Sequence, residues 1–377
     1  MTSHAHGMRS RPLLRGSALA VLSAVAFGLT TPFIQRFGQG AGAWPAAALL
    51  YAGAALASID PWRAARGTET PVRSAQVPRL LLVALTGAVL APVCLTWGVQ
   101  RTDAVSASLL LNFEAVFTVL LAWRIHREEI GRRVALALAF MALGGLLLVA
   151  GGATSATFGV GAIAVVLATL GWALDNTLSR PLSDLDPTQV VQWKAALGAA
   201  LSFSFAFASK QPFPRAWPLL GLLVCGATGY GLSLRFYLRA QRQIGAARTG
   251  SIFALAPFVG AAAAWLMGRG SVGITSLVAA LCFALGVYLH LTEGHAHPHR
   301  HEPTTHEHPH RHDDGHHDHT HEPAVIGEHS HPHSHEAISH EHPHAPDVHH
   351  RHVHDEEHEH EHEHARQASE NAVQKRP

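Results

Sequence analysis

The end of this chain lacks the residue types that build a hydrophobic core. Residues 295–377 contain no Leu, Phe, Trp, Tyr, Met or Cys, yet they hold 27 of the 31 histidines. They carry 17 acidic residues against 6 Lys and Arg, whereas residues 1–294 carry 10 against 22. A segment of this composition cannot bury enough apolar surface to offset the entropy lost on ordering. We therefore predict that the tail is disordered.

Cysteine is rare, and motifs of catalysis are missing. Cys94, Cys225 and Cys282 lie inside apolar runs without ligand spacing, so we interpret them as packed hydrophobic residues. The loops contain no nucleophile–base set, no phosphate-cradling glycine loop and no nucleotide motif, and they are too short to hold a catalytic domain. These absences argue against an enzyme, a required cofactor and a nucleic-acid partner.

Long apolar stretches dominate the rest of the chain. A helix that spans a bilayer needs about 20 predominantly apolar residues. Ten such stretches occur, near residues 16–36, 43–59, 79–99, 104–123, 133–152, 158–179, 188–208, 217–239, 248–268 and 271–292. We therefore predict an all-α polytopic membrane protein with ten transmembrane helices, surrounded by a lipid bilayer and preceded by a short N-terminal segment, residues 1–15.

The distribution of basic residues predicts the orientation of these spans. If the N-terminus is cytoplasmic, 17 Lys and Arg fall on the cytoplasmic side and five on the other. Cytoplasmic loops of membrane proteins carry such an excess. The expectation is a multi-pass protein of the cell (inner) membrane with both termini in the cytoplasm, as an even number of spans also requires.

The sequence also repeats internally at an offset of 142 residues. The offset aligns Thr86-Gly87 with Thr228-Gly229, Ala122-Trp123 with Ala264-Trp265, and residues 142–144 with 284–286. It maps spans 3–5 onto spans 8–10, so the repeating unit has five helices. Because five is odd, the second copy must be inverted in the membrane, which is a common architecture of secondary transporters. The predicted units are residues 16–152 and 153–294.

Two stretches carry a family resemblance. Residues 103–123, DAVSASLLLNFEAVFTVLLAW, followed by Arg-Glu-Glu at 127–129, resemble the EamA-type repeat of the drug/metabolite transporter superfamily, and so do residues 245–265, GAARTGSIFALAPFVGAAAAW. The Glu-Pro pair usual in that repeat is split here, since Glu114 precedes Ala115 and Ala256 precedes Pro257. The resemblance implies a transporter with ten helices around a central cavity.

Several polar and aromatic side chains are candidates for the substrate pathway. An acid at the middle of a span, such as Glu114, is energetically costly unless it faces the bundle interior. Glu114 therefore either binds cargo or a proton, or is a structural acid that is paired with Arg235 or with an amide. Lys194 lies near a span end and is interpreted as a snorkelling residue. The candidates are Glu114, Asn112, Asp175, Asn176, Trp172, Trp97, Tyr230 and Arg235.

The histidines of the tail alternate with other residues, which predicts a metal-binding module. In an extended chain, residues at i, i+2 and i+4 lie on one side, so three or four imidazoles can converge on one ion. Imidazole sites suit Ni, Zn, Co or Cu. The candidate ligands are His295, His297, His299, His301, His306, His308, His310, His329, His331, His333, His335, His340, His342 and His344.

Three functions remain open from the sequence. The first is a secondary transporter, most simply an exporter, of a small metabolite or drug-like solute, with a tail that binds transition metals. The second is a transporter of divalent metal ions or their complexes. The third is a membrane metal sensor or buffer that transports nothing. The sequence also leaves open whether the protein works alone or as a homodimer.

Overall fold

A computed structural model describes most of the chain. The described residues are 4–59, 71–126, 130–151, 156–182, 185–244 and 246–292, together with four short strands in the tail. The predicted site residue His301 and the acidic pair Glu128 and Glu129 lie outside them.

The described residues up to 292 form fifteen α-helices. Those of the first repeat are α1 (His4–Gly28), α2 (Thr30–Gly38), α3 (Ala43–Ala57), α4 (Val77–Val83), α5 (Ala91–Val99), α6 (Ala104–Leu110), α7 (Phe113–His126) and α8 (Arg132–Gly151). Those of the second are α9 (Ala156–Ser179), α10 (Pro187–Ala208), α11 (Ala216–Cys225), α12 (Ser233–Ile244), α13 (Ala246–Phe253), α14 (Ala256–Leu266) and α15 (Ile274–Leu291). Short 3-10 turns lie at Ser74–Gln76 and Arg180–Leu182.

These helices combine into the ten predicted spans. Nine helical stretches in the described residues are long and apolar enough to cross a membrane, and α3 is a shorter apolar helix. The stretches agree closely with the predicted ranges, but five of the ten are not single α-helices. Spans 1, 4 and 9 are broken, and spans 3 and 8 each contain a π-helical turn. The fold class of an all-α polytopic membrane protein is confirmed.

The irregular segments recur at the same offset as the sequence repeat. The π-helical turns are Ala84–Leu90 between α4 and α5, and Gly226–Leu232 between α11 and α12, which are 142 residues apart. The breaks that separate α6 from α7 and α13 from α14 also correspond. At each break an i→i−3 turn replaces the α-helical bond, as in the bonds from the Leu111 amide to Ser108 and from the Leu255 amide to Ile252.

The helices of the two repeats pack with approximate two-fold symmetry. Helix α1 packs on α12 as α9 packs on α5, and α3 packs on the second π-helical turn as α10 packs on the first. Two contacts map onto themselves, α3 with α10 and α8 with α15, and α6 packs on α14. Spans 2 and 8 approach through glycines, because a Cβ added at Gly53 would meet the Leu223 carbonyl and one at Gly226 would meet the Leu50 carbonyl.

Hydrogen bonds between connections define the two ends of the bundle. At the arginine-rich end, where α3, α7, α9 and α12 finish, Arg235 donates to the Ala57 carbonyl at 3.0 Å, and the Val72 amide donates to Gln189 Oε1. At the opposite, far end, the Gly42 amide bonds the Pro212 carbonyl at 2.9 Å and the Ala104 amide bonds the Arg269 carbonyl at 3.0 Å.

Four short strands are described in the tail. These are β1 (His295–Arg300), β2 (Thr304–His310), β3 (His329–His335) and β4 (Ser339–His344). Strand β1 pairs antiparallel with β4, and β2 with β3. Proline is tolerated in them because both ribbons have two strands, so that every strand is an edge.

Candidate functional site

A cavity of about 750 Å³, counting its part open to solvent, lies between the two repeats. The first repeat contributes Phe27, Tyr51 and Glu114. The second contributes the longer part of the lining, mainly from α9, α10 and the segment that runs from the π-helical turn into α12. Its lining residues are Trp172, Asp175, Asn176, Val191, Lys194, Ala195, Gly229, Tyr230, Ser233, Leu234, Tyr237 and Phe253. Asp175 lies four residues before α9 ends and Lys194 seven after α10 begins, so the cavity occupies the half of the bundle nearer the arginine-rich end.

Glu114 reaches the cavity because span 4 is broken just before it. The acid stands in the first turn of α7, after the break at Leu111 and Asn112. Its Oε1 accepts a hydrogen bond of 2.7 Å from the Asn176 side-chain amide on α9. The partner is thus an amide, as one alternative predicted, but it is Asn176 rather than Asn112 or Arg235.

Asp175 and Lys194 form an ion pair across α9 and α10. Lys194 Nζ contacts Asp175 Oδ2, and the Ser179 hydroxyl donates to the other carboxylate oxygen at 3.2 Å. The side chains are only 11% and 5% exposed. The interpretation of Lys194 as a snorkelling residue is therefore wrong. Its acidic partner lies inside the bundle, and an ion-paired lysine at this depth is stable facing inward.

One backbone carbonyl of the first π-helical turn organises the cavity wall. The Ala91 amide donates to the Thr86 carbonyl in the i→i+5 pattern, and the same pattern would join an amide of residue 92 to the Gly87 carbonyl. Residue 92 is a proline, which has no N–H. The Gly87 carbonyl instead accepts from the Tyr51 hydroxyl at 2.6 Å and from the Trp172 indole N–H at 3.1 Å.

Aromatic rings surround the inner part of the cavity. The Phe27 ring centroid lies 5.8 Å from that of Trp172 and 5.8 Å from that of Tyr230. The Tyr51 and Tyr230 centroids are 5.4 Å apart, and Trp172 lies 6.2 Å from Tyr230. Phe253, 5.5 Å from Phe27, extends this wall. These distances are within the range of favourable aromatic pairs, so the rings support one another's positions.

Five of the eight predicted pathway residues line this cavity: Glu114, Asp175, Asn176, Trp172 and Tyr230. The other three lie outside its lining. Asn112 is buried and donates to the Leu109 carbonyl at 2.8 Å, so it completes the helix break. Trp97 lies under the Arg101 guanidinium, 3.8 Å from its ring centroid, near the far end. Arg235 joins span 8 to the end of α3.

The sequence reasoning missed Phe27, Tyr51, Tyr237, Phe253 and Lys194. The four aromatic residues occur singly in apolar spans, where a pathway residue and a packing residue look alike. For Lys194 a signal existed, because an intramembrane cation is usually paired and Asp175 lies in the preceding span.

Polar contacts close the bundle beyond the cavity, towards the far end. Gln35 is buried, and its side-chain amide donates to the carbonyls of Val99 at 2.9 Å and Thr102 at 2.8 Å. The Trp44 amide donates to Gln211 Oε1 at 3.1 Å. Together with the two bonds between far-end connections, these contacts join span 1 to span 3, span 2 to the end of span 7, and span 4 to the connection after span 9.

A metal ion would find few ligands in the helical bundle. Within the part of the chain that the structure describes, no group of three His, Cys, Asp or Glu side chains could hold one. For the tail histidines, the structure gives the pairing of the strands.

The cavity between two inverted repeats defines the chain as a polytopic membrane protein of the transporter type. The sequence profile of the EamA-like transporter family matches residues 14–150 and 159–292. The chain therefore belongs to the EamA-like transporter family, which points to a transporter rather than an enzyme.

Two known proteins illustrate the relationship. The chain is 29% identical over 219 residues to an uncharacterised transporter of Methanothermobacter thermautotrophicus, a match that covers 56% of this chain and 63% of the relative. A solved crystal structure of 15% sequence identity superposes with a TM-score of 0.54, over 72% of this chain and 97% of that one. At this identity, the second likeness concerns the fold alone.

Proposed function

We propose that the protein is a secondary transporter that exports a small organic solute across the membrane. The observation that carries this proposal is the cavity between the two repeats, which is lined by six aromatic side chains and two acids, Glu114 and the ion-paired Asp175. Solute sites of transporters with inverted repeats lie between the halves, and the halves rock to expose the site to each side in turn.

An organic solute suits this cavity better than a metal ion does. Ligand pockets for organic molecules are mainly apolar and aromatic, with a few polar groups that fix orientation. Transition metals instead prefer several converging imidazole, thiolate or carboxylate ligands. Of the two acids in the lining, Asp175 is already ion-paired with Lys194.

The proposed orientation is consistent with export. The excess of basic residues puts the arginine-rich end, and both termini, in the cytoplasm. The cavity lies nearer that end, while hydrogen bonds join the spans at the far end. The conformation is then the one that loads solute from the cytoplasm, as an exporter requires.

The test is solute counterflow by the purified protein in liposomes. Vesicles preloaded with amines, amino acids, sugars or organic anions should take up a labelled solute of the transported class, and vesicles preloaded with Zn²⁺ or Ni²⁺ should not exchange those ions. Exchange of metal ions alone would favour the metal transporter. Absence of exchange for every class would favour a membrane metal sensor or buffer.

We further propose that the histidine-rich tail binds transition metals. The strand register pairs His297 with His342 and His299 with His340, and β2 and β3 pair His306 with His333 and His308 with His331. Directly opposed residues of an antiparallel pair have Cβ atoms about 5 Å apart, and alternate residues share a face. Two successive pairs thus offer four imidazoles, the number that a tetrahedral Zn site takes.

Nickel-bearing beads can test the tail and the orientation together. Inside-out membrane vesicles should bind the beads at pH 7.5, whereas right-side-out vesicles should not, because the tail faces the cytoplasm. Binding should fall as the pH drops through about 6, since protonated imidazole has no lone pair for the metal. A chain that ends at residue 294 is the matched control. Capture of right-side-out vesicles would contradict the orientation, and capture of neither kind would contradict metal binding.

A further inference from the structure

The proposed transporter cavity also indicates the chemical class of its solute. We infer that it binds the primary ammonium group of a small amine, held between the Glu114 carboxylate and the Tyr230 hydroxyl and surrounded by aromatic rings. This inference rests on the proposed function and goes beyond it, because it names the charge and the donor groups of the cargo.

The charges that line the cavity favour a cation. Its described lining contains three charged side chains, Glu114, Asp175 and Lys194. The last two neutralise each other in their ion pair. Glu114 has a neutral partner, the Asn176 amide, so its negative charge is left for the cargo. A cation is therefore the ligand that balances the site.

Tyr230 supplies an independent sign of a ligand. Its side chain lines the cavity and its residue is only 7% exposed, yet its hydroxyl has no hydrogen-bond partner among the described residues. Buried polar groups are almost always hydrogen-bonded, so an unpartnered one calls for an explanation. The Tyr51 hydroxyl, by contrast, is already committed to the Gly87 carbonyl. A phenol oxygen can accept from an ammonium N–H, and a primary ammonium has donors for both Tyr230 and Glu114.

The aromatic wall adds the second component of ammonium recognition. Phe27, Trp172 and Tyr230 have ring centroids within 6.2 Å of one another. A cation near the faces of such rings is attracted by their quadrupoles, and aromatic cages recognise ammonium ligands in this way. Asn176, which donates to Glu114, follows Trp172 by four residues on α9. The hydrogen-bond partner of the acid and one ring of the aromatic wall therefore lie on the same face of α9.

The same geometry disfavours amino acids and organic anions. A carboxylate on the cargo would need a cation, and the cationic side chain in the described lining is Lys194. Binding a carboxylate there would require Lys194 to leave Asp175, and that acid would then stay buried without its partner. An amine without a carboxylate can bind while Lys194 stays paired with Asp175.

Binding calorimetry on the full-length protein in detergent can test this with four probes of similar shape. The probes are 2-phenylethylammonium, 2-phenylethanol, phenylalanine and 3-phenylpropionate, at pH 7. The amine should bind at least about tenfold more tightly than each of the others, because only it gains a charge-assisted hydrogen bond without breaking the ion pair. Glu114→Gln should remove this preference. Tyr230→Phe should weaken amine binding about two- to tenfold.

Tyr288→Phe is the matched control, because Tyr288 is 63% exposed on α15 and lies outside the cavity lining; it should bind the amine as the wild type does. Equal or tighter binding of phenylalanine or phenylpropionate would overturn the inference, and so would a preference that survives Glu114→Gln. Counterflow distinguishes a failure of the ammonium site from a failure of the proposed transport function. Amine binding without exchange of any solute would contradict transport alone, and exchange of amino acids without amine binding would contradict the ammonium site alone.

Discussion

Replacing Lys194 by methionine should lower the midpoint of heat-induced unfolding in detergent by about 6–20 °C. The substitution removes one partner of a buried ion pair and leaves the Asp175 carboxylate inside the bundle without its cation. Breaking such a pair costs about 3–5 kcal/mol, and about 1 kcal/mol corresponds to roughly 2–4 °C in proteins of 150–250 residues. Loss of monodisperse protein on size-exclusion chromatography after heating is a suitable measurement.

The double variant Asp175→Asn with Lys194→Met gives this prediction its sharpest form. It removes both charges, so most of the lost stability should return, and the double-mutant cycle should give a coupling free energy of about 2 kcal/mol or more. Lys210→Met is the matched control, because Lys210 is exposed near the far end and should tolerate the change. Destabilisation of the double variant by the sum of the two single effects would show that the pair contributes nothing as a pair.

The spans could be predicted from the sequence because apolar length is a local property. The predicted second and seventh spans, 43–59 and 188–208, differ from α3 and α10 by two residues or fewer at each end. The repeat could be read from the sequence for a similar reason, because it rests on matching residue types. Its offset of 142 residues places both π-helical turns in register and the two helix breaks within one residue of it. The turns themselves were not predicted, because hydropathy does not report which carbonyl bonds to which amide.

The cavity could be predicted only in part, because the direction of a side chain depends on its neighbours in space. Glu114 stood out by its cost in a bilayer, whereas Tyr51 did not, since its role depends on a carbonyl 36 residues away in sequence. Trp97 and Tyr230 looked equivalent in the sequence. Only packing separates them, with Trp97 under Arg101 and Tyr230 on the cavity wall.

Replacing Glu114 by glutamine should lower solute counterflow at least about tenfold while leaving the protein folded and abundant. Glutamine keeps the size of the side chain and can still accept the hydrogen bond from Asn176, so the main loss is the charge offered to the cargo. Losing a charged hydrogen-bond partner costs about 1.5–3 kcal/mol, which is a factor of about ten or more. Unchanged gel-filtration profile and melting midpoint would verify the fold.

Asp103→Asn is the matched acid-to-amide control for that variant. Asp103 caps α6 near the far end by accepting from the Ser106 amide at 2.8 Å. Asparagine caps helices about as well as aspartate, so Asp103→Asn should exchange solute at the wild-type rate.

The most direct test of whether the cavity between the repeats carries the cargo is counterflow in liposomes at matched protein density. It compares the wild type with Glu114→Gln and Asp103→Asn. The cavity account predicts exchange by the wild type and by Asp103→Asn, and at least about tenfold slower exchange by Glu114→Gln. Exchange by Glu114→Gln at the wild-type rate would contradict it and would leave Glu114 a structural residue.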